Sequence, residues 1–276
     1  MNEIEFTASN AIDGKMLMGR YWPAENPVAF VNLMHGLGEH CGRYAHLGAY
    51  LNSQGISVAT LDQHGHGRTQ GKRGVVKGFP VMRGNVDALI AYGMEQAPDL
   101  PHFLMGHSMG GGIVLNYGFE NPNAPIKAII AQAPFIEPAD PVPGALISVM
   151  KALRKIAPNM ALKAKLDPSK ITTLKDEQDK YFADPLNHTS LGTALGIDMI
   201  AAGKDTAARA GSFPFDLLIT HGTDDKLTQF AASQTFASKE PRAKFIAYEG
   251  CGHEVHNDFR REAVYADLSA WILERA

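Results

Sequence analysis

"HFLMGHSMGGGIVLNYGF" (102–119) decides how this chain is to be read. Phe103, Leu104 and Met105 form an apolar run of strand type, and beyond Ser108 the pattern turns helical. Gly106 and Gly110 stand two positions either side of Ser108, and four glycines fall between 106 and 112. A G-x-S-x-G between a strand and a helix is a nucleophile elbow. The serine must sit at the tip of a sharp turn in an unfavourable backbone conformation. Side chains two positions away would collide there, so glycine is required. The helix that follows aims free amides and its positive dipole end at the serine.

Working outward, the same alternation fills most of the chain. Nearly continuous apolar runs at 28–36, 56–62, 102–108, 126–134, 215–222 and 243–250 read as strands covered on both faces. Helical patterns lie near 42–54, 80–97, 109–120, 228–239 and 258–275. "IEFTAS" (4–9) and "KMLMGRYW" (15–22) read as an antiparallel pair leading in. This order predicts an α/β fold, a mostly parallel central sheet flanked by helices. Between Pro134 and Phe215 the rhythm breaks for about 80 residues, too many for a loop. The stretch opens on the proline-rich "PFIEPADPVPG" (134–144) and continues with helical patterns. In it Leu146, Val149, Met150, Leu153 and Ile156 make an i, i+3, i+4, i+7 stripe. The reading divides the chain into a core, 1–134 and 213–276, and an inserted helical cap, or lid, over 135–212.

The bulk numbers agree with one large domain carrying an insertion: 276 residues, 45% hydrophobic and 20% charged. A net charge of −3 gives no reason to expect nucleic acid as a partner. Two cysteines, Cys41 and Cys251, exclude a disulfide scaffold and favour a cytoplasmic setting. "MNEIEFTASN" has neither the basic nor the apolar region of a signal peptide. No apolar run approaches the ~20 residues of a membrane span, so contact with membranes or lipid droplets is expected to be peripheral. Residues 144–175 hold seven basic side chains and one acidic, Asp167. Such a basic, amphipathic segment reads either as a solvated helix face or as a surface resting on anionic lipid.

A serine hydroxyl needs a base to take its proton. In this architecture the chain order is serine, acid, histidine. "LLITHGTDDKLT" (217–228) offers Asp224 and Asp225 as the acid, and "FIAYEGCGHEVHND" (245–258) offers His253 and His256 as the base. An oxyanion hole needs two backbone amides: that of Met109, after the nucleophile, and one from the loop after the third strand. That loop is "HGLGEH" (35–40), where Leu37 is the natural donor. His64 and His66 lack a carboxylate or cysteine cluster, and "HEVH" (253–256) is not the zincin spacing, so no metal or cofactor is expected. His107 is expected to pack in the elbow, and Glu254 to contact solvent or backbone. Both cysteines are expected near the pocket, so that a bulky thiol reagent lowers activity.

"HGLGEHCGRY" (35–44) resembles the H-G-x-G-E-H-x-G-R-Y signature of the monoacylglycerol lipases, within the α/β-hydrolase superfamily. "GHSMGG" (106–111), "GTDDKL" (222–227) and "YEGCGHEVHND" (248–258) match as well, with "DKYFADPL" (179–186) and "LDQHGHGRTQG" (61–71) looser. The likeness runs from about residue 30 to the C-terminus and is weakest in the cap. It implies Ser108 as nucleophile, His253 as base and Asp225 rather than Asp224 as acid. It also implies a polar glycerol pocket from Glu39, Arg43 and His256, with Tyr181 added by the cap. The activity implied is a carboxylic ester hydrolase acting on monoacylglycerol or a similar long-chain acyl ester. Neighbouring readings are a lysophospholipase or another esterase or thioesterase of this fold; a non-catalytic binding protein is the reading from another class. Leu37 departs from animal members, which carry a small residue there. A backbone donor survives that change, while the acyl channel mouth is expected to narrow.

Overall fold

Strand β3 (Ala29–Met34) explains the continuous apolar runs, because all six of its residues are buried. Ala29, Val31 and Leu33 point into one core and Phe30 and Met34 into the other, as a period-two side-chain pattern requires in a sheet covered on both sides. These features come from a computed structural model that describes residues 2–163 and 166–276.

The eight-stranded sheet has the order β1 (Ile4–Ser9), β2 (Met16–Trp22), β4 (Ile56–Leu61), β3, β5 (His102–His107), β6 (Ala128–Gln132), β9 (Asp216–Gly222), β10 (Ala243–Tyr248). From β4 to β10 neighbouring strands run parallel, whereas β1–β2 and β2–β4 are antiparallel. Helices α1 (Ala45–Ser53) and α8 (Arg261–Leu273) cover one face through Leu47, Leu51, Leu268 and Trp271. Helices α2 (Phe79–Gln96), α3 (Met109–Glu120) and α7 (Phe230–Lys239) cover the other through Val86, Leu89, Ile113 and Phe236. The mostly parallel α/β architecture is the one the apolar runs predict.

Between β6 and β9 the chain forms α4 (Gly144–Ile156), β7 (Ala161–Lys163), α5 (Lys175–Ala183), β8 (Ser190–Gly192) and α6 (Thr193–Ala208). A helical reading of this segment overlooks β7 and β8, which pair antiparallel. Three-residue strands carry too little alternation to be told from loop. Helix α6 is not peripheral: Leu195 and Met199 join the main core, and Gly203 lies against the Ile136 carbonyl. The α4 stripe is largely uncovered. Only Met150 is buried, while Leu146, Val149 and Ile156 are exposed. Among the described residues no helix is long and apolar enough to cross a membrane.

Candidate active site

Ser108 occupies the turn between β5 and α3 at φ +55°, ψ −116°, outside the regions that L-residues favour. Three backbone hydrogen bonds hold it there. Its amide donates to the Gln132 carbonyl, and its carbonyl accepts from Gly112 and Phe135, each at 2.9 Å. The flanking glycines are explained by what surrounds them. A Cβ on Gly110 would lie 2.6 Å from the His35 carbonyl oxygen and closer still to that of Met34. A Cβ on Gly106 would run into the backbone of Gly110 and Gly111. Gly110→Ala is therefore expected to destabilise the fold by about 1–3 kcal/mol, since the backbone carbonyls of Met34 and His35 cannot yield as a flexible side chain would. Urea denaturation checks this; an unchanged midpoint would refute the packing argument.

His253 lies beyond β10 and Asp225 beyond β9, neighbouring parallel strands. The His253 Nδ1 is 2.7 Å from Asp225 Oδ2. The Asp225 side chain is fully buried and accepts four further hydrogen bonds, from His221 Nε2, the Thr228 hydroxyl, and the amides of Leu227 and Thr228. Burial alone would push this carboxyl up. His253 and the donated hydrogen bonds more than offset it and hold Asp225 well below the usual carboxylate range. Burial likewise works against a charged His253, yet Asp225 brings its imidazole above the ordinary histidine value. Asp224 is exposed and contacts only Thr223 and the Cys251 carbonyl. Ser108 and His253 line one cavity. Hydrogen bonds between such groups commonly tighten only once substrate is bound.

The loop after β3 is held by its own side chains. His35 Nδ1 donates to the Gly36 carbonyl at 2.7 Å, while its Nε2 accepts from the Gln63 amide at 3.0 Å. Burial pushes the His35 imidazole down, in keeping with this neutral tautomer. A trans peptide turns its N–H opposite to its C=O, so anchoring the Gly36 carbonyl also sets the direction of the Leu37 amide. Glu39 Oε1 accepts from the Gly36 amide at 2.6 Å and from the Tyr44 hydroxyl at 2.7 Å, closing the turn. Among the described residues, the amides of Leu37 and Met109 have no hydrogen-bond partner, and both residues border the elbow. The Leu37 side chain lies on the cavity wall.

The cavity, of about 340 Å³, is lined mostly by apolar side chains, including Phe135, Val142, Leu146, Met150, Leu191 and Met199. Polar residues on the same wall include Glu39, Glu254, Tyr181, His107, His188 and Thr228. Of the four residues expected in a glycerol pocket, the structure brings Glu39 and Tyr181 to this wall. Arg43 and His256 do not line it. The Arg43 guanidinium forms a two-pronged pair with Glu254, at 2.5 and 2.7 Å, and also donates to Glu39 at 2.8 Å. His256 is fully buried, stacked on Tyr44, with neither ring nitrogen hydrogen-bonded to protein; burial brings it down to about 3.

Glu254 corrects an expectation. Read as a solvent-facing residue, it is 3% exposed and is Arg43's main partner. Its neighbour on the chain is a site histidine, but its partner is 211 positions away, beyond any local pattern. His221 and Thr228 are not marked by the sequence either, although they stand four and three positions from Asp225, because spacing within a strand end and its turn does not say which side chains face the carboxylate. His107 packs as expected, with its ring 4.7 Å from that of His253 and 4.8 Å from that of His256.

The cysteines are corrected as well. Cys41 and Cys251 are fully buried and neither lines the cavity. Burial and nearby Asp62 push the Cys41 thiol well up; burial and Asp258 bring Cys251 up to about 11. Thiolate is the reactive form, so maleimide is expected to modify neither thiol in the native state over an hour and to leave activity intact. Mass spectrometry beside an activity assay tests this, and rapid labelling would contradict the burial.

Comparison with known proteins agrees with this geometry. A family model described as serine aminopeptidase, S33, matches residues 25–260. A monoacylglycerol lipase of Mycolicibacterium smegmatis is 32% identical over 268 residues, covering 95% of this chain and 94% of that protein. A Dictyostelium discoideum protein described as an uncharacterized abhydrolase domain-containing protein is also 32% identical, but this chain spans only 28% of its length. Among solved structures, the monoacylglycerol lipase of Paleococcus ferrophilus superposes with a TM-score of 0.86 at 27% identity, over 94% of this chain and 99% of that one. With an elbow serine, a buried acid–histidine pair and a match over most of its length, this chain belongs to the serine aminopeptidase S33 family of α/β-hydrolases, in the company of the monoacylglycerol lipases.

Proposed function

We propose that this chain is a serine hydrolase that cleaves monoacylglycerols to glycerol and free fatty acid through an acyl-enzyme. The observation that carries the reading is the cavity itself. Its lining is mostly apolar, and Ser108 and His253 share its wall with the carboxylates Glu39 and Glu254. His253 takes the proton of Ser108 as Oγ attacks the ester carbonyl. Asp225 fixes the Nδ1–H tautomer and stabilises the imidazolium that forms. The amides of Leu37 and Met109 stabilise the oxyanion. Glycerol departs with the proton from His253, and water repeats the sequence on the acyl-enzyme.

Electrostatics favour a neutral head group over a phosphodiester. Two carboxylates, Glu39 and Glu254, stand on the cavity wall, and both are held below the usual carboxylate range despite burial. The one guanidinium beside them, Arg43, is already engaged by both. That leaves a site of net negative charge, which suits hydroxyl donors and repels phosphate. Release of glycerol and fatty acid from 1-monooleoylglycerol, beside lysophosphatidylcholine and with Ser108→Ala as blank, tests this. Serine-dependent cleavage of the monoacylglycerol alone is expected. Preferential cleavage of lysophosphatidylcholine would replace this reading with a lysophospholipase.

Residues 135–212 act in this reading as a cap that supplies Leu146, Met150, Tyr181 and Leu191 to the cavity. Helix α4 exposes Leu146, Val149 and Ile156 next to Lys151 and Lys155, a composition suited to resting on anionic lipid. Lys165, also part of the basic run, lies outside the described residues. Arg154 is not free for lipid, because it pairs with Asp198 of α6. Co-sedimentation with phosphatidylserine-containing vesicles is expected to weaken with salt and with Val149→Ser/Ile156→Ser. Binding indifferent to both would remove the surface contact.

A further inference from the structure

On the serine-hydrolase reading above, we propose that His221, donating through Nε2, is a positioning residue that aims the Asp225 carboxylate at His253. The two carboxylate oxygens are held differently. Oδ1 takes the amides of Leu227 and Thr228, which the turn supplies whatever the side chains. Oδ2, the oxygen on His253, is held only by side chains: His221 Nε2 at 2.9 Å and the Thr228 hydroxyl at 2.8 Å. The Thr228 hydroxyl has one proton and also lies 3.1 Å from the Ala133 carbonyl. His221 Nε2 lies closer to Oδ2, at 2.9 Å, than to its other neighbour, the Thr228 hydroxyl oxygen at 3.4 Å, so its hydrogen is directed mainly at the carboxylate.

Its tautomer follows from its surroundings. His221 is fully buried, and among the described residues its Nδ1 has no hydrogen-bond partner. A proton on Nδ1 would be a buried donor without an acceptor, which is costlier than an unused lone pair. Nε2 faces a carboxylate and must carry the hydrogen. The ring stands at the C-terminal end of β9, with the edge of Phe230 from α7 against it at 5.6 Å. It has little room to turn.

Two consequences separate this role from plain packing. A hydrogen bond donated to Oδ2 disperses the carboxylate charge, so its loss makes Asp225 a stronger partner for the imidazolium and moves the acid limb of activity upward. A carboxylate without that donor also loses its direction, which lowers kcat with little effect on KM. The other groups facing this pair stay in place: Thr228 on Asp225, and Glu39, Glu254, His107 and His256 around His253.

The test compares His221→Leu, which keeps bulk without a donor, with His221→Gln, whose amide reaches the Nε2 position. Readouts are kcat, KM and the pH profile on monooleoylglycerol, with the downfield proton resonance of the His253 Nδ1–H. The leucine variant is expected to lower kcat about 10- to 100-fold and to raise the acid limb by about half a pH unit. The glutamine variant is expected to recover most of both. A folded leucine variant with the wild-type limb and kcat, or a glutamine variant no better than leucine, would overturn the role. If leucine prevents folding, His221→Asn, whose amide is too short for Oδ2, takes its place. Ser108-dependent labelling of the wild type by a fluorophosphonate separates the two levels. Its absence would remove the parent reading and this proposal with it, whereas labelling with an unmoved limb would overturn His221 alone.

Discussion

Replacing Ser108 with alanine is expected to lower kcat on monooleoylglycerol about 10⁶-fold while leaving the protein folded. Alanine meets the same backbone strain at φ +55°, and the bonds that impose that conformation are all main-chain, through Gln132, Gly112 and Phe135. The side chain can be removed without removing what holds the turn. The oxyanion amides and the acyl cavity remain, so binding should change little and some acceleration over water should persist. Calorimetry beside steady-state kinetics measures both halves. Activity within tenfold of wild type in a folded Ser108→Ala protein would mean that another group attacks the ester, and the elbow reading would fall.

Asp225→Asn is expected to cost about 10⁴ in kcat, and Asp224→Asn less than about threefold. Asp225 is sealed from solvent and takes the Nδ1–H of His253, whereas Asp224 is exposed and touches neither histidine. An asparagine amide would face Nδ1 with a donor and favour the wrong tautomer. The pH profile carries the sign. His253 must be neutral to act as base, and its imidazole stands above the ordinary histidine value because Asp225 outweighs burial. Wild-type kcat/KM should therefore fall as pH drops through a limb above 6.5. Removing the carboxylate leaves burial dominant, so residual Asp225→Asn activity should keep its level to lower pH. An upward move of the limb, or a larger loss in Asp224→Asn, would reassign the acid.

The elements most legible in the chain were those governed by local rules. A five-residue elbow between an apolar run and a helical pattern marks Ser108, because strain at one residue demands glycine at fixed offsets. The bounds of α3, 109–120, coincide with the pattern. Helix α8 starts three residues later than its pattern, at Arg261, because Asp258 is extended and Phe259 and Arg260 form a turn ahead of it. The short β7–β8 ladder was not legible, since its stability comes from a partner about 30 residues away and not from its own alternation. What covers the α4 stripe was not legible either, for a related reason. Amphipathic spacing says that a helix has an apolar face, not what covers it, and here Leu146 and Met150 serve a cavity while Val149 and Ile156 face outward.

What the residues determined by themselves is the order of chemical groups along the chain and the turns that present them, because backbone sterics and side-chain periodicity act over a few positions. Tertiary structure decided which groups share an electrostatic environment. Arg43 is absorbed by Glu254, His256 lies buried off the cavity wall, and His221 enters the Asp225 network from the strand end. The Arg43–Glu254 pair joins groups 211 positions apart, and the other two outcomes depend on how strand ends and loops pack around the site. At hydrogen-bond distance, in a buried setting, pairing outweighs anything that composition or spacing records.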